Sequence, residues 1–326
     1  MVLSLSECRS LADAVFRRLK LSERAPAGLY RPIDYILSLG GKRIRPTLTL
    51  MACNLFSESV EQALMPAVGL EIFHSFTLLH DDIMDRSPLR RGKATVHTLW
   101  GDNSAILSGD AMSILAYEYV SQCSPAILTE VLSVFTRTAM EVCEGQQLDM
   151  DFEAVPGTSM EEYMQMIRLK TSVLMGASLQ IGALCGGASC GDALRMYRFG
   201  EAFGLAFQIQ DDLLDAFGSE KVLGKPIGGD IRENKKTWLW IKAFDDADSI
   251  QRERLLQLLQ FPDSERDQKF ADTIRIFESL SVAEKARKQI ALYFETARAA
   301  LQEVEQPQER KSALLEFLDS LLYREM

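Results

Sequence analysis

The chain has 326 residues, 47% of them hydrophobic, with 36 basic and 46 acidic groups giving a formal net charge of −10. That apolar fraction supplies a deep core and excludes a disordered chain, while the acidic balance excludes bulk binding to nucleic acid, whose phosphate backbone it would repel. With 20 Gly and 10 Pro, turn residues are too few for a sandwich of many short strands.

Hydrophobic periodicity predicts helices over 11–19, 48–56, 65–84, 105–122, 126–148, 160–184, 193–217, 237–243, 250–259, 270–280, 282–304 and 312–323. Apolar residues recur there every three or four positions, with no convincing alternating segment. Breakers fall between them at Gly40-Gly41, Pro88, Gly92, Pro125, Pro156-Gly157, Gly186-Gly187 and 218–229. No composition shift divides the chain, so one all-α domain over 1–326 is expected. Two connections stand out: 85–98 is strongly basic just after an acidic helix end, and 216–237 combines glycines, a proline and lysines.

Cys8, Cys53, Cys123, Cys143, Cys185 and Cys190 form no C-x-x-C pair, which argues for reduced thiols rather than a zinc or redox site. Glu7 and Asp13 interrupt the N-terminal stretch, so no signal peptide is evident. The longest apolar run, 172–187, is broken by Gln180 and falls short of a membrane span. A cytoplasmic protein without an integral membrane segment is expected.

The chemistry concentrates in two strings, Asp81-Asp82-Ile83-Met84-Asp85 and Asp211-Asp212-Leu213-Leu214-Asp215. With 21 Asp in the chain, DDxxD is expected by chance roughly 0.1 times. Asp245-Asp246 does not complete the pattern. On a helix, Asp81 and Asp85 share a face, as do Asp211 and Asp215, and like charges so placed destabilise it unless a cation intervenes. Hard oxygens in such groups suit Mg²⁺, which bridges one or two carboxylates to substrate phosphates; the alternating, glycine-bearing pattern of a Ca²⁺ loop is absent.

Cations supply the counterpart. Lys42, Arg43 and Arg45 follow the Gly40-Gly41 turn, Arg90-Arg91 follow the first aspartate string, and Lys225 and Lys235 follow the second. Arg forks and Lys point charges grip phosphate. On a helical wheel His74 falls about 20° from both Asp81 and Asp85, and Gln208 about 20° from Asp215. Glu71-x-x-His74 matches half of a di-iron signature, but neither His80 nor His97 has the Glu needed for the second half. Together these residues suggest a site for phosphorylated ligands beside an apolar cavity.

The strings GGKRIRP, EIFHSFTLLHDDIMDRSPLRRGKATVH and FQIQDDLLD…GKPIGGDIRENKKT resemble the trans-type isoprenyl diphosphate synthase (polyprenyl synthetase) family, short-chain farnesyl and geranylgeranyl type. Gly109-Asp110, Gly145-Gln146 and Lys170-Thr171 match its pattern as well. The resemblance spans roughly 35–240 and leaves the C-terminal third uninformative. It implies a single large helical bundle around a central apolar cavity, and a homodimer. It implies Mg²⁺, three ions per site, bound by Asp81, Asp85 and Asp211, with Asp82, Asp212 and Asp215 in support. Lys42, Arg45, His74 and Arg91 are then expected to hold isopentenyl diphosphate, and Arg90, Lys170, Lys225 and Lys235 the allylic diphosphate. Thr171 and Gln208 would line the region where the allylic cation forms.

In the family a bulky aromatic five residues before the first aspartate closes the pocket floor. Phe76 holds that place, followed by the small Thr77, which favours a twenty-carbon geranylgeranyl product with fifteen-carbon farnesyl next. A class I terpene cyclase would leave Lys42, Arg45 and Arg91 without purpose, and a non-catalytic partner subunit would be expected to have lost some of these residues.

Overall fold

The computed structural model describes residues 2–154, 157–218 and 227–322. Among these, the chain is all-α apart from one small hairpin. In order it runs α1 (Leu5–Arg18), α2 (Ala27–Ser38), α3 (Ile44–Phe56), α4 (Glu61–Met84), β1 (Leu89–Arg90), β2 (Lys93–Ala94), α5 (Val96–Trp100) and α6 (Asp102–Val120). Then come α7 (Leu128–Ala154), α8 (Met160–Ile167), a π-helical turn (Arg168–Ser172), α9 (Val173–Cys185) and α10 (Cys190–Phe217). The remainder comprises α11 (Gly229–Arg232), α12 (Trp238–Asp246), α13 (Ser249–Leu258), α14 (Arg266–Ser279), α15 (Val282–Gln302) and α16 (Gln308–Leu322).

Local chemistry sets many of these limits. Ser4 with Glu7, Ser159 with Glu162 and Asp248 with Gln251 form reciprocal caps that start α1, α8 and α13. Several elements depart from the periodicity reading, the short helices α5 and α11 among them. Helix α2 forms across Gly28 and Pro32; Pro32 stands inside it and forgoes one i→i−4 bond, a loss offset by burial of Pro32, Ile33, Ile36 and Leu37. The basic connection 85–98 holds an antiparallel hairpin pairing Leu89 with Ala94 and Arg90 with Lys93. Its two turn residues, Arg91 and Gly92, both have positive φ, 54° and 74°, the conformation whose twist matches a two-residue hairpin. Finally, 160–184 is not one uniform helix, since the π turn interrupts it.

The chain forms two compact units. The first comprises Met1–Arg137, Ala177–Tyr197 and Glu303–Leu315. Leu48, Leu50, Leu70, Ile72 and Phe135 are sealed in its core. Small residues let helices approach there. A Cβ on Gly69 of α4 would lie 2.8 Å from the Ala116 carbonyl of α6, and one on Gly182 of α9 would lie 2.1 Å from the Thr49 carbonyl of α3. Helix α4 is long and apolar enough to cross a membrane by length and composition, but 61% of its most apolar stretch is buried inside the protein. The second unit comprises Thr138–Gly176, Arg198–Gln302 and Glu316–Met326. Phe199, Phe203, Phe277 and Phe294 fill its interior, with the Phe203 and Phe317 rings 5.4 Å apart.

Candidate active site

In the first unit the DDxxD string closes α4, and its three carboxylates differ. Asp81 is half-buried and Asp85 exposed, whereas Asp82 is only 3% exposed. The 100° step between consecutive helical residues turns Asp82 away from the face that Asp81 and Asp85 share. Arg90 Nε donates to both Asp82 oxygens, at 2.9 and 2.8 Å, and its NH2 lies 2.8 Å from Oδ1. Burial still raises the Asp82 carboxyl above its ordinary value. The pair clamps the hairpin onto the helix end.

The tight turn sends the next arginine elsewhere. Arg91 packs on the glycine turn, where a Cβ on Gly41 would sit 2.6 Å from the guanidinium; Gly41 has φ 139°, so glycine serves both backbone and clearance. Close by, Arg43 donates to Glu71 at 2.9 Å in a buried pair and lies 4.4 Å over the Phe16 ring. That use of Glu71 accounts for its place before His74. Burial pushes Arg45 down to about 10, with Glu71 acting against it, and its Nε is covered without a hydrogen-bond partner. A buried guanidinium N–H costs energy unless an acceptor reaches it, and an anion would supply that acceptor. His74 is held well below its ordinary value, first by burial and then by Arg45, Arg91, Arg90 and Arg43. Arg45, His74 and Arg91 are thus brought together; Lys42 lies exposed in the same turn.

In the second unit the other DDxxD string lies in the last turns of α10. Asp211 is exposed, whereas Asp212 and Asp215 are 4% and 2% exposed. Asp212 accepts from the Tyr163 hydroxyl at 2.5 Å, the Trp238 amide at 3.1 Å and Gln208 Nε2 at 3.1 Å. Burial, then the Asp230 charge, pushes it up to about 7 against those bonds. Asp215 accepts from the Asp230 amide at 3.0 Å, holding the Gly228-Gly229-Asp230 turn against α10. Thr171 donates to Gln208 Oε1 at 3.2 Å, so Thr171, Gln208 and Asp212 form one chain of hydrogen bonds.

Lys170 and Thr171 sit on the π turn, where the Val173 amide bonds back to the Arg168 carbonyl. Two glycines make room for it: a Cβ on Gly145 of α7 would lie 2.3 Å from the Lys170 nitrogen, and one on Gly204 of α10 would lie 2.7 Å from Ser172 Cα. Lys170 pairs with Asp149 at 2.5 Å, and Lys235 is exposed, 3.5 Å from Glu233. Lys225 lies outside the described residues.

Phe76 is half-buried on α4, its ring centroid 4.8 Å from His80 and 5.5 Å from Phe73. Phe73 and Tyr117 in turn meet Phe135 edge-on at 5.3 and 4.7 Å. Thr77 donates to the His74 carbonyl at 2.8 Å. Gly109 makes room for the His80 ring, to which its Cβ would come within 2.2 Å.

Glu71, Arg43, Asp149, Tyr163 and Asp230 were not singled out as site residues by sequence reasoning. Glu71, Arg43 and Asp230 left a trace, in the E-x-x-H, GGKRIRP and GGD strings; Asp149 and Tyr163 left none, because pairing with a residue many turns away leaves no local period. As to a metal, Asp81, Asp85 and Asp211 offer the hard oxygens that Mg²⁺ prefers. Among the described residues, no three His, Cys, Asp or Glu side chains converge to enclose an ion. Within each unit the accessible carboxylates present hard oxygens of the kind a cation takes when phosphate and water oxygens complete its shell.

Residues 26–277 match the family model described as polyprenyl synthetase. The chain is 37% identical over 322 residues to the short chain isoprenyl diphosphate synthase of Methanothermobacter thermautotrophicus, covering 98% of each. It is 38% identical to the geranylgeranyl pyrophosphate synthase of Geoglobus acetivorans, covering 94% of this chain and 93% of that one. It superposes on a crystal structure of a geranylgeranyl pyrophosphate synthase with a TM-score of 0.93 at 41% identity, covering 99% and 100% of the two chains.

Proposed function

From the chain's membership of the polyprenyl synthetase family, which makes it a prenyltransferase that elongates prenyl chains, we propose Mg²⁺-dependent head-to-tail condensation of isopentenyl diphosphate with an allylic diphosphate, ending at geranylgeranyl diphosphate. The observation that carries this reading is the division within each DDxxD string. Asp81, Asp85 and Asp211 are accessible, while Asp82 and Asp212 are tied into the fold.

Asp81, Asp85 and Asp211 would hold Mg²⁺, three ions by family resemblance, whose chemistry when bound is to neutralise a diphosphate and make it a leaving group. Lys42, Arg45, His74 and Arg91 take the isopentenyl diphosphate. Neutral His74 donates one N–H there without adding a further charge to the arginines. Arg90, Lys170, Lys225 and Lys235 take the allylic diphosphate. Gln208, whose amide is oriented by Thr171 and Asp212, turns its carbonyl oxygen to the allylic carbon as positive charge develops. The isopentenyl double bond attacks that carbon, and the resulting proton leaves to the departed diphosphate, so no side-chain base is required. The half-buried Phe76 ring, backed by the buried Phe73 and Phe135, contributes an apolar wall that excludes the water that would quench the cation.

Residues 1–326 act as one synthase domain. The exposed apolar side chains Leu99 on α5 and Ile106, Leu107 and Ile114 on α6 support a homodimer, and six free cysteines suit the reducing cytoplasm. Two-substrate kinetics test the separation of the two grips, which a cyclase would lack. Arg45→Ala is expected to raise KM chiefly for isopentenyl diphosphate, and Lys235→Ala chiefly for the allylic substrate. Equal weakening of both substrates by both variants would contradict the reading.

A further inference from the structure

We propose that Lys269 is a positioning residue for the allylic-diphosphate grip, fixing the segment 227–236 that carries Lys235. The inference rests on the role given to Lys235 above. Lysine is almost never fully buried unless its ammonium is satisfied, yet Lys269 is 2% exposed, among the largest sealed side chains of the protein. It points up from α14 into the segment. Its Nζ donates to the Arg232 carbonyl at 3.2 Å and to Asn234 Oδ1.

The surrounding contacts explain why this attachment matters. Asn234 has φ 62°, a left-handed conformation that costs free energy in a residue other than glycine unless its side chain is held. The lysine provides that hold, and Asn234 Nδ2 donates in turn to the Leu259 carbonyl at 3.2 Å. Two further residues of α14 also support the segment. Asp267 takes Arg232 at 3.0 Å, and the Phe270 ring lies 4.7 Å under that guanidinium. A Cβ on Gly228, which has φ 78°, would run into Phe270 at 2.3 Å. On its other side the segment is tied to the DDxxD helix by the Gly228 amide on the Asp215 carbonyl, at 2.6 Å, and the Asp230 amide on the Asp215 carboxylate.

Lys235 follows directly after Asn234, its amide bonded to the Asp230 carbonyl at 2.9 Å. The position of the Lys235 backbone is therefore set from one side by Asp215 and from the other by Lys269. A methionine at 269 would fill the same volume and remove the ammonium. Asn234 would then lose its fixed partner, and Lys235 its register on the phosphate. The isopentenyl diphosphate grip is built from residues 42–91 and does not include this segment.

The test is steady-state kinetics on wild type, Lys235→Ala, Lys269→Met and Asn234→Gly, varying each substrate separately, with a melting curve for each protein. Lys269→Met is expected to raise the allylic KM roughly 10- to 100-fold, as loss of a supporting residue behind a ligand does, with the isopentenyl diphosphate KM within about twofold of wild type. Asn234→Gly keeps the backbone conformation accessible but removes the acceptor, so it is expected to shift the same constant in the same direction. A purely structural role would lower the melting temperature and leave both KM values where they were. That outcome in folded Lys269→Met, or an equal rise for both substrates, overturns the proposal. Should Lys269→Met not fold, Asn234→Gly is judged by the same criteria. An active wild type whose allylic KM responds to Lys235→Ala but not to Lys269→Met or Asn234→Gly overturns the brace alone. An inactive wild type, or a Lys235→Ala variant with unchanged allylic KM, overturns the reading of the site beneath it.

Discussion

Gly145 lies directly against the backbone nitrogen of Lys170: a Cβ at 145 would come within 2.3 Å of it. The obstacle is main chain, not a side chain that could swing aside. Gly204 presses on the turn from another helix, at Ser172. These two contacts fix where the π turn can sit and so where Lys170 and Thr171 point, consistent with the tendency of π turns to mark functional positions. Gly145→Ala is expected to cost about 1–3 kcal/mol in chemical denaturation through overpacking and to lower kcat as Thr171 and Gln208 separate. Wild-type kcat in a destabilised Gly145→Ala protein would detach the π turn from catalysis.

The division inside each aspartate string leads to opposite outcomes for neighbouring residues. Asp81→Ala and Asp211→Ala remove accessible carboxylates and are expected to lower turnover by orders of magnitude with stability within about 0.5 kcal/mol of wild type. Asp82→Ala and Asp212→Ala leave buried donors unsatisfied, on Arg90 in one case and on Tyr163 and the Trp238 amide in the other. They are expected to cost about 1–3 kcal/mol of stability each. Paired melting curves and kinetics on the four variants separate the classes; large destabilisation from Asp211→Ala would contradict the assignment.

Much of this was legible in the residues and part was not. Helix positions, both aspartate strings and their basic followers could be read because they repeat at short, known spacings. The burial of Asp82 and Asp212 could not, since DDxxD gives three identical letters and only the partners, Arg90 and Tyr163, distinguish them. The π turn was hidden because one i→i+5 bond barely disturbs an apolar period. Helix α2 is absent from the predicted helices: Pro32 stands inside it, and it is held by the burial of Ile33, Ile36 and Leu37, which local propensity does not show.

His74 carries a pH dependence with a definite sign. Burial and four arginines hold its imidazole well below the ordinary 6.5. Below pH about 6.5 the unfolded chain takes up a proton that the folded protein refuses. The contribution of this residue to stability is therefore intact above that pH and is lost as pH falls toward the folded value. His74→Gln is expected to flatten this acid limb of the stability curve. In NMR titration, the wild-type ring is expected to stay neutral through pH 6.5, and its pKa to rise when isopentenyl diphosphate supplies a counter-charge. Ordinary titration in the free protein would contradict the arginine-lined site.

Phe76 tests the chain-length reading. Its ring is one member of the His80–Phe76–Phe73 stack. Phe76→Ala is expected to give longer prenyl products from a folded enzyme, since it opens space for further isoprene units. Truncation of an ordinary core phenylalanine would instead cost about 3–5 kcal/mol with product length unchanged.

The most direct measurement is the mass of the product formed by purified protein from isopentenyl diphosphate and dimethylallyl, geranyl or farnesyl diphosphate, with Mg²⁺ and with a chelator. Geranylgeranyl diphosphate is expected from each allylic starter, formed with Mg²⁺ and not with the chelator. Cyclic hydrocarbon from the allylic substrate alone, or no linear prenyl diphosphate longer than the starter, would contradict it.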